Sequence, residues 1–409
     1  MVSMARRNTV ISPFQYNPGS SSEVVTYLQG IKGGAEDETY LLVGANNSSG
    51  PDPVGLVYQG PLDAVQSNGV SGSGIWTIIA APEDFDAAGT SVYGPDRLVG
   101  DDRVNYVGAF TRDLDDLTPT AEDPAIVGFT YTGSTDGSTT SGWNQVQGVT
   151  QSGELATYTF VHSVDGGLAV GNADQADRDG KTGYLSLSST AFVVDVETGD
   201  QTLIRYPGDR NPLVTHTAYG IWDNNDGSYT IAGGSGSVLN SFFDDSDLTI
   251  GDGYLLDYAL LSGRFSNDSD LAVGDGYLID YDPLTGRFSN YQAFAYNNGE
   301  DGSDLITHFE GIYRDEDGVY YLPATSVSFN GDRDLTMASV ATIERNYDGS
   351  FEEIAEWSDL DVIKSGTNVE SILTTGNSMF ANQVVGFANY PVQGAGGALE
   401  PLGFVASLD

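Results

Sequence analysis

The chain contains no cysteine and very little lysine, with Lys32, Lys181 and Lys364 as its whole complement. Without cysteine, neither disulfides nor thiolate metal sites can form. The 58 acidic residues outnumber the 16 basic ones, which gives a formal net charge of -42 over 409 residues. A field of this sign repels phosphate backbones and anionic lipid head groups. Nucleic acids and bare membranes are therefore excluded as expected partners.

Long apolar runs are also missing. No run approaches the roughly 20 apolar residues that span a bilayer, so we expect no membrane insertion. The segment Met1–Asn8 lacks the apolar stretch of a signal peptide. An acidic, cysteine-free composition rich in Gly, Asp, Ser and Thr is common among secreted bacterial proteins, so we expect an extracellular or cell-surface location, reached through a removed leader or another route. The excess of Asp is explained either by turns or by adaptation to salt.

What the sequence does contain is a short phrase that recurs about every 60 residues, the mark of a repeat architecture. Its six copies are Thr26–Ile31, Thr90–Pro95, Thr159–Val164, His216–Ile221, Thr307–Ile312 and Thr367–Ile372. Each copy opens a period of four short apolar runs that alternate with polar residues and are separated by Asp, Asn and Gly turns. This is the signal of antiparallel strands joined by hairpins. The 52 glycines fit a chain with many tight turns.

The last period lacks its fourth strand, and the chain begins with a segment that resembles it. Residues 402–409 form only a third strand, whereas residues 8–16 match the fourth strand of other periods, such as Arg287–Tyr296. A strand from one end that completes the last sheet closes a ring without an open edge. We therefore predict a single all-β domain over residues 1–409, a six-bladed β-propeller. The alternative is an open β-solenoid.

The predicted blades have four antiparallel strands each. Their approximate bounds are 26–80, 90–149, 157–206, 215–296, 306–357, and 367–409 with 8–16. Blade four is longer than the others because Ser246–Asn267 is nearly restated as Ser269–Asn290. We expect this duplicated hairpin to add strands to blade four or to protrude as a flap, and we favour a neutral duplication over a functional one.

The repeat also resembles the extracellular HAF-type repeats of bacteria. The shared pattern is Gly-Ile, a turn, Tyr-x-x-x-Gly, and then Tyr-Leu-x-Asp-Tyr-Asp-x-x-Thr-Gly. The third and sixth copies depart from it, with Ser163 and Ser371 in place of the glycine. The resemblance covers most of the chain as a loose pattern. It implies a propeller-like ring and no particular chemistry.

Equivalent positions on the first strand of each blade should face the central axis. The residue before the repeated Gly or Ser is polar or a hydroxyl-bearing aromatic in every copy: Gln29, Tyr93, His162, Tyr219, Glu310 and Glu370. Convergent polar groups in a concave site are typical of ligand binding. We predict Gln29, Tyr93, His162, Tyr219 and His308 as ligand-binding residues. A ring of polar side chains that merely fills the channel explains the same pattern.

The acidic residues suggest two kinds of site, a catalytic pair of carboxylates and a calcium site. Glu310 and Glu370, on adjacent blades, form the pair of carboxylates that a glycoside hydrolase requires. Acidic turns offer hard oxygen ligands for a structural Ca²⁺, with Asp177 and Asp179 as the predicted site; the same residues also suit hairpin turns. No nucleophile elbow, Walker loop or His-Glu-x-x-His motif occurs.

Our leading hypothesis is a binding or scaffolding module for a glycan or protein partner. The alternative is a glycoside hydrolase that uses Glu310 and Glu370, and a third hypothesis is an assembly subunit. An open axial pocket favours the hydrolase, and a filled axis favours the binding module.

Overall fold

In the computed structural model, most of the chain forms β-strands. Among the described residues, no helix is long and apolar enough to cross a membrane. The described residues are 7–18, 24–47, 53–63, 69–98, 102–112, 120–178, 185–205, 214–237, 273–296, 305–330, 333–353, 355–364, 371, 373–391 and 399–408. The helical elements within these ranges are two 3-10 turns, Glu83–Phe85 and Thr140–Gly142.

After β1 (Arg7–Pro13), the strands fall in chain order into antiparallel groups of four. The first group is β2 (Thr26–Gly33), β3 (Tyr40–Asn46), β4 (Val54–Gly60) and β5 (Ile75–Ile79). The next is β6 (Gly89–Arg97), β7 (Val104–Thr111), β8 (Ile126–Gly133) and β9 (Trp143–Val146). The third is β10 (Tyr158–Asp165), β11 (Leu168–Arg178), β12 (Leu185–Asp195) and β13 (Gln201–Leu203).

The second half of the chain continues this order. The fourth group is β14 (Val214–Asp223), β15 (Tyr229–Ser237), β16 (Val273–Asp282) and β17 (Arg287–Phe294). The fifth has an inner strand in two pieces, β18 (Leu305–Phe309) and β19 (Tyr313–Arg314), followed by β20 (Tyr320–Asn330), β21 (Arg333–Ile343) and β22 (Glu356–Lys364). The last is β23 (Leu373–Phe380), β24 (Gln383–Pro391) and β25 (Leu399–Ser407).

The predicted contact between the two ends of the chain is confirmed. Ser12 lies opposite Val405 and Pro13 opposite Phe404, so the end of β1 extends the last group as its fourth strand. The start of β1 also pairs in parallel with β22 of the preceding group. An open solenoid does not bring its ends into one sheet, so this pairing favours a closed ring.

The fold is an all-β propeller. The apolar core lies between neighbouring groups: one cluster joins Leu41 and Val57 of the first group to Val92, Phe110 and Phe129 of the second. Single bridges such as Ile126 to Tyr158 link some groups, so hydrogen bonding joins the strands into sheets of 13, 8 and 4 strands. A count of hydrogen-bonded sheets therefore does not establish the predicted six blades, and that number stays a prediction.

Two predicted boundaries were wrong, and one predicted feature lies outside the described residues. Blade five was predicted to end at residue 357, but its outer strand, β22, spans Glu356–Lys364, because Arg345 and Phe351 bridge a hairpin turn before it. The inner strand of the last group begins at Leu373, beyond the predicted phrase Thr367–Ile372. The first copy of the duplicated hairpin, 246–267, lies outside the described residues, whereas the second copy contributes β16 and the start of β17.

Polar contacts tie neighbouring groups together as well. Arg345 forms two hydrogen bonds with the Asp280 carboxylate, at 2.5 and 2.9 Å, across the boundary between the fifth and fourth groups. Its guanidinium also lies 4.2 Å from the ring centroid of Phe351. An arginine held in this bidentate way fixes the orientation of its partner, so the pair links the two groups in a defined geometry.

Candidate functional site

The inner strands approach each other so closely that each needs a small residue at the same place. A Cβ added to Gly94 would lie 2.8 Å from the Cα of Ser163 on the next inner strand, and one added to Gly220 would lie 2.8 Å from the carbonyl carbon of Gly311. Gly30 faces the Tyr93 carbonyl oxygen in the same way. The repeated Gly or Ser of the phrase is thus a packing requirement of the ring.

These contacts continue around the whole molecule. His162 and Tyr219 join the third and fourth inner strands through ring centroids 4.4 Å apart, and Gly311 approaches Ser378 of the last group. The Asn377 side-chain amide then donates to the Leu28 carbonyl oxygen at 2.8 Å, which links the last inner strand to the first. The inner strands therefore surround a common axis.

A β-bulge points one polar side chain from each inner strand toward this axis. The pairing register shifts between Leu28 and Gly30 in β2, and equivalent shifts occur in β6, β10, β14 and β23. The extra residue of a bulge leaves the ladder and is re-aimed. The bulged residues, together with Glu310 between β18 and β19, form what we call the axial ring: Gln29, Tyr93, His162, Tyr219, Glu310 and Asn377.

The axial ring contains five of the six predicted residues, and Asn377 is its sixth member. Asn377 occupies the bulge of β23, at which Glu370 was predicted, because the inner strand of the last group lies seven residues further along the chain than the phrase indicated. Glu370 itself lies outside the described residues. The predicted pairing of Glu310 with Glu370 therefore stays a prediction.

The axis is nearly filled. The rings of Tyr93 and His162 lie 5.3 Å apart, and those of His162 and Tyr219 lie 4.4 Å apart. The cavity that remains beside them has a volume of about 30 Å³, which holds one or two water molecules but no sugar ring. The predicted ligand residue His308 does not line this cavity; its ring stacks on that of Tyr219 at a centroid distance of 6.0 Å.

A buried hydrogen-bond chain fixes the orientation of His162. Its Nε2 lies 2.7 Å from the Asn172 Oδ1, and the Asn172 amide donates in turn to both carboxylate oxygens of Asp174, which also accepts from Ser189 at 2.6 Å. Because the Asn172 oxygen must accept, Nε2 of His162 carries the proton. Burial lowers the pKa of His162 to about 3, so its ring is neutral. Burial also raises the pKa of Asp174 to about 6.

Three residues after each axial position, a second ring of side chains surrounds the end of the channel. We call it the mouth ring; it consists of Lys32, Asp96, Asp165, Trp222, Tyr313 and Phe380. Sequence reasoning missed these residues because the bulge changes the two-residue alternation of the strand. The Gly or Ser that follows each axial residue was the available signal.

One half of the mouth ring is charged. The Lys32 ammonium lies 2.5 Å from the Asp165 carboxylate and 3.6 Å from that of Asp96. Burial alone would lower the pKa of Lys32, but the two carboxylates raise it above its usual value. Burial raises the pKa of Asp96 to about 6, against the opposing effect of Lys32. The other oxygen of Asp165 accepts from the Asp223 backbone N–H at 2.7 Å.

The other half is aromatic. Trp222 and Tyr313 pack edge to face with centroids 5.4 Å apart, and Tyr313 packs against Phe380 at the same distance. All three side chains are partly exposed. The Lys32 ammonium reaches across the axis to lie 5.2 Å from the Trp222 ring, a cation–π contact. Lys32, Trp222 and Phe380 also line the small cavity.

In the described part of the chain, the carboxylates of the acidic turns accept hydrogen bonds from groups of the same turn. Asp226 accepts from the Ser228 N–H and hydroxyl, and Asp315 accepts from the Val319 N–H. Asp177 lies in β11 opposite Ser186, so its backbone is in a strand and not in the predicted turn, and Asp179 lies outside the described residues. Within the described ranges, no group of three or more His, Asp or Glu side chains could hold a metal ion.

Comparison with known proteins gives only distant similarities. No protein-family model matches the chain, and no curated protein matches it. The chain is similar over 99% of its length to 98% of an α-L-arabinanase from Penicillium chrysogenum complexed with arabinobiose, at 13% identity and a TM-score of 0.43. It is also similar over 97% of its length to 97% of an endo-arabinase from Bacteroides thetaiotaomicron (11% identity, TM-score 0.35).

A third similar structure is a polysaccharide lyase, an ulvan lyase, of which 83% is covered by 95% of this chain at 11% identity and a TM-score of 0.37. Similarities at these scores carry no argument about what the present chain binds or does. The resemblance of the repeats to the HAF type likewise stays a prediction.

Proposed function

We propose that the chain is a single six-bladed propeller domain that acts as a secreted or surface-associated binding module and holds a glycan at the mouth ring. The blade number is supported by the four-strand groups, which include the group completed by β1, and by the circle of contacts between inner strands. The observation that carries the function is the division of the mouth ring into a charged half and an aromatic half.

This division suits a sugar for two reasons. Aromatic faces such as those of Tyr313 and Trp222 offer apolar surface to the C–H groups of a sugar ring, while the charged half offers hydrogen-bond partners to its hydroxyls. An apolar surface with a few convergent polar groups is the usual design of a small-molecule site. The filled axis favours binding over axial catalysis, because a cavity of about 30 Å³ leaves no room for substrate beside Glu310.

Substitution at the aromatic half tests the proposal. Tyr313→Ala should weaken binding to a glycan from a screened panel at least about fivefold, since a stacked ring contributes about 1 kcal/mol or more. Tyr347→Ala removes a fully exposed tyrosine from an outer turn and is the matched control. Isothermal titration calorimetry measures both affinities, and circular dichroism checks that both variants fold.

Three results would contradict the proposal: equal affinity of Tyr313→Ala and wild type, no binding to any glycan of the panel, or capture of a protein ligand in place of a glycan.

A glycoside hydrolase is the second candidate, favoured by the one observation that Glu310 lines the axial cavity. Glu310→Gln separates the two functions. It should leave glycan binding at the mouth ring unchanged if the chain is a binding module, and it should abolish the release of reducing sugar ends if the chain is a hydrolase. A structural Ca²⁺ at Asp177 and Asp179 stays a prediction, which calcium-dependent thermal unfolding would reveal.

A further inference from the structure

We propose that two copies of this chain form a dimer through β5, the outer strand of the first group, by pairing their β5 strands edge to edge in antiparallel register. The partner is thus a second copy of the chain. The inference concerns the outer edge of the propeller and does not depend on what the mouth ring binds.

The strand β5 ends its sheet. The sheet of the first group runs in the order β2-β3-β4-β5, and no other strand among the described residues pairs with the outer edge of β5. Such an edge carries a row of backbone N–H and C=O groups that can pair with a further strand. In the fifth group the corresponding edge is covered, because β1 pairs with β22.

The exposed side chains of β5 differ from those of the other open outer strands. Elsewhere the exposed positions carry polar or charged residues: Asn144 and Gln145 in β9, and Arg287, Ser289 and Asn290 in β17. In β5 they carry Ile75, which is 69% exposed, and Ile78, which is 51% exposed. Charged residues at an edge oppose the addition of a strand. The strand β5 lacks this protection, and its residues have a high preference for β-structure.

The charge pattern around β5 fits a partner that is itself acidic. Residues 64–82, which include the whole of β5, contain no charged side chain, although the chain carries 58 acidic residues. A basic partner gains more from the acidic surface elsewhere. Two copies of this chain, by contrast, can approach closely only where carboxylates do not face carboxylates, since opposed like charges are destabilising. The uncharged edge of β5 meets this condition.

The sequence of β5 is also complementary to itself. A two-fold axis through Thr77 places Ile75 opposite Ile79 of the second copy, and Trp76 opposite Ile78 of the second copy. Apolar residues therefore meet on both faces of the joined sheet, and each opposed pair stabilises it. A contact of this isologous kind closes on itself, so we expect dimers and no larger assemblies.

Cross-linking tests the register. Thr77 lies on the two-fold axis, where opposed residues are about 4.5–5.5 Å apart and within the range of a disulfide. Because the chain has no cysteine, Thr77→Cys should oxidise to a covalent dimer that non-reducing electrophoresis reveals. Leu284→Cys, in an exposed turn, is the matched control and should stay monomeric. Equal cross-linking of the two variants, or none in Thr77→Cys, overturns the inference.

Sedimentation velocity over a range of protein concentrations measures the association itself. Raising the NaCl concentration from about 0.01 M to about 1 M shortens the Debye length from about 30 Å to about 3 Å. This screens the repulsion between two acidic molecules, so the dimer should strengthen with salt. Ile78→Lys should raise the dissociation constant at least about tenfold, because each dimer contains the substitution twice. Leu284→Lys makes the same change of charge in an exposed turn and should have little effect.

Four results would overturn the inference. They are a chain that stays monomeric at about 1 mM in high salt, a dimer that both lysine variants weaken equally, association that weakens as salt is added, and capture of an extended peptide along β5 without dimerisation. None of them bears on glycan binding at the mouth ring, which the Tyr313→Ala titration tests separately.

Discussion

Asp174 is a carboxyl group that the fold keeps away from water, and its titration should be visible in stability. The folded chain holds this proton up to about pH 6, whereas an unfolded Asp releases it near pH 4. The contribution of Asp174 to the free energy of unfolding therefore falls as pH rises from about 4 to about 6. Asp174→Asn should gain stability relative to wild type over this range, by up to about 3 kcal/mol.

Urea denaturation at about pH 4 and about pH 7, at constant ionic strength, measures this difference. His162 has the opposite effect: because its pKa is lowered, the free energy of unfolding falls as pH falls from about 6.5 to 3. This contribution is present in both proteins and therefore cancels in their difference. Asp348→Asn is the control: hydrogen bonds from Ser350 lower the pKa of that exposed carboxyl, so no comparable gain is expected. An identical difference at both pH values would show that Asp174 ionises normally.

At this scale the sequence predicted the axial ring better than the mouth ring. Gln29, Tyr93, His162, Tyr219 and Glu310 were found because they share a place in the repeated phrase. Lys32 and its five counterparts also occupy equivalent positions in the repeat, but their side chains differ in chemical type. The in-and-out alternation of a regular strand would point them away from the axis. Only the bulge, a property of the backbone, brings them to the channel mouth.

Among the elements, the inner strands should be the least tolerant of added volume. Gly220→Ala places a methyl group 2.8 Å from the backbone of Gly311, which cannot move without shifting the neighbouring strand. We expect a loss of about 1–3 kcal/mol in the free energy of unfolding. Gly376→Ala is the matched control on another inner strand, since no atom lies closer than 3.6 Å to its added Cβ.

Urea denaturation of the two variants measures this contrast. Equal losses in Gly220→Ala and Gly376→Ala would show that the close approach of the fourth and fifth inner strands is not what selects glycine.

The same packing explains which strands could be predicted. The phrase located the inner strands in the groups whose copies resemble one another. It failed in the last group, because the residues that form its inner strand, Leu373-Thr-Thr-Gly-Asn-Ser378, bear little resemblance to the other copies. What the ring requires there is a bulge followed by a small residue, and Ser378 supplies it. Thr367–Ile372 matches the phrase in its letters, but the inner strand of the last group begins at Leu373.

For the whole molecule, the critical feature is the pairing of Ser12 with Val405. Opposed residues of an antiparallel pair lie about 4.5–5.5 Å apart, within the range of a disulfide. Ser12→Cys with Val405→Cys should therefore form a bond on oxidation. By the entropy of the closed loop, it should raise the free energy of unfolding by about 6 kcal/mol.

Since the natural chain has no cysteine, no other pairing can compete. Ser12→Cys combined with Leu284→Cys, an exposed turn position, is the control and should remain reduced. Mass spectrometry and non-reducing electrophoresis report the bond. Failure of the first pair to oxidise, or equal oxidation of the control, would contradict the closed ring.

Closure was predictable because a missing fourth strand and a surplus strand at the other end are visible in the order of the repeats. The additional parallel pairing of β1 with β22 was not predictable, because the residues of a strand do not specify which strand lies on its other edge. The same holds for Arg345 and Asp280, whose contact depends on the angle between two groups.

The double pairing of β1 also sets an order of events during synthesis. Ser12 leaves the ribosome roughly 400 residues before Val405, which at typical elongation rates of about 5–20 residues per second is a delay of about 20–80 s. Throughout that interval the segment has no partner in the sheet that it finally completes. Each earlier group can pair its own four strands as it emerges, but the ring itself is locked only after translation has passed Val405.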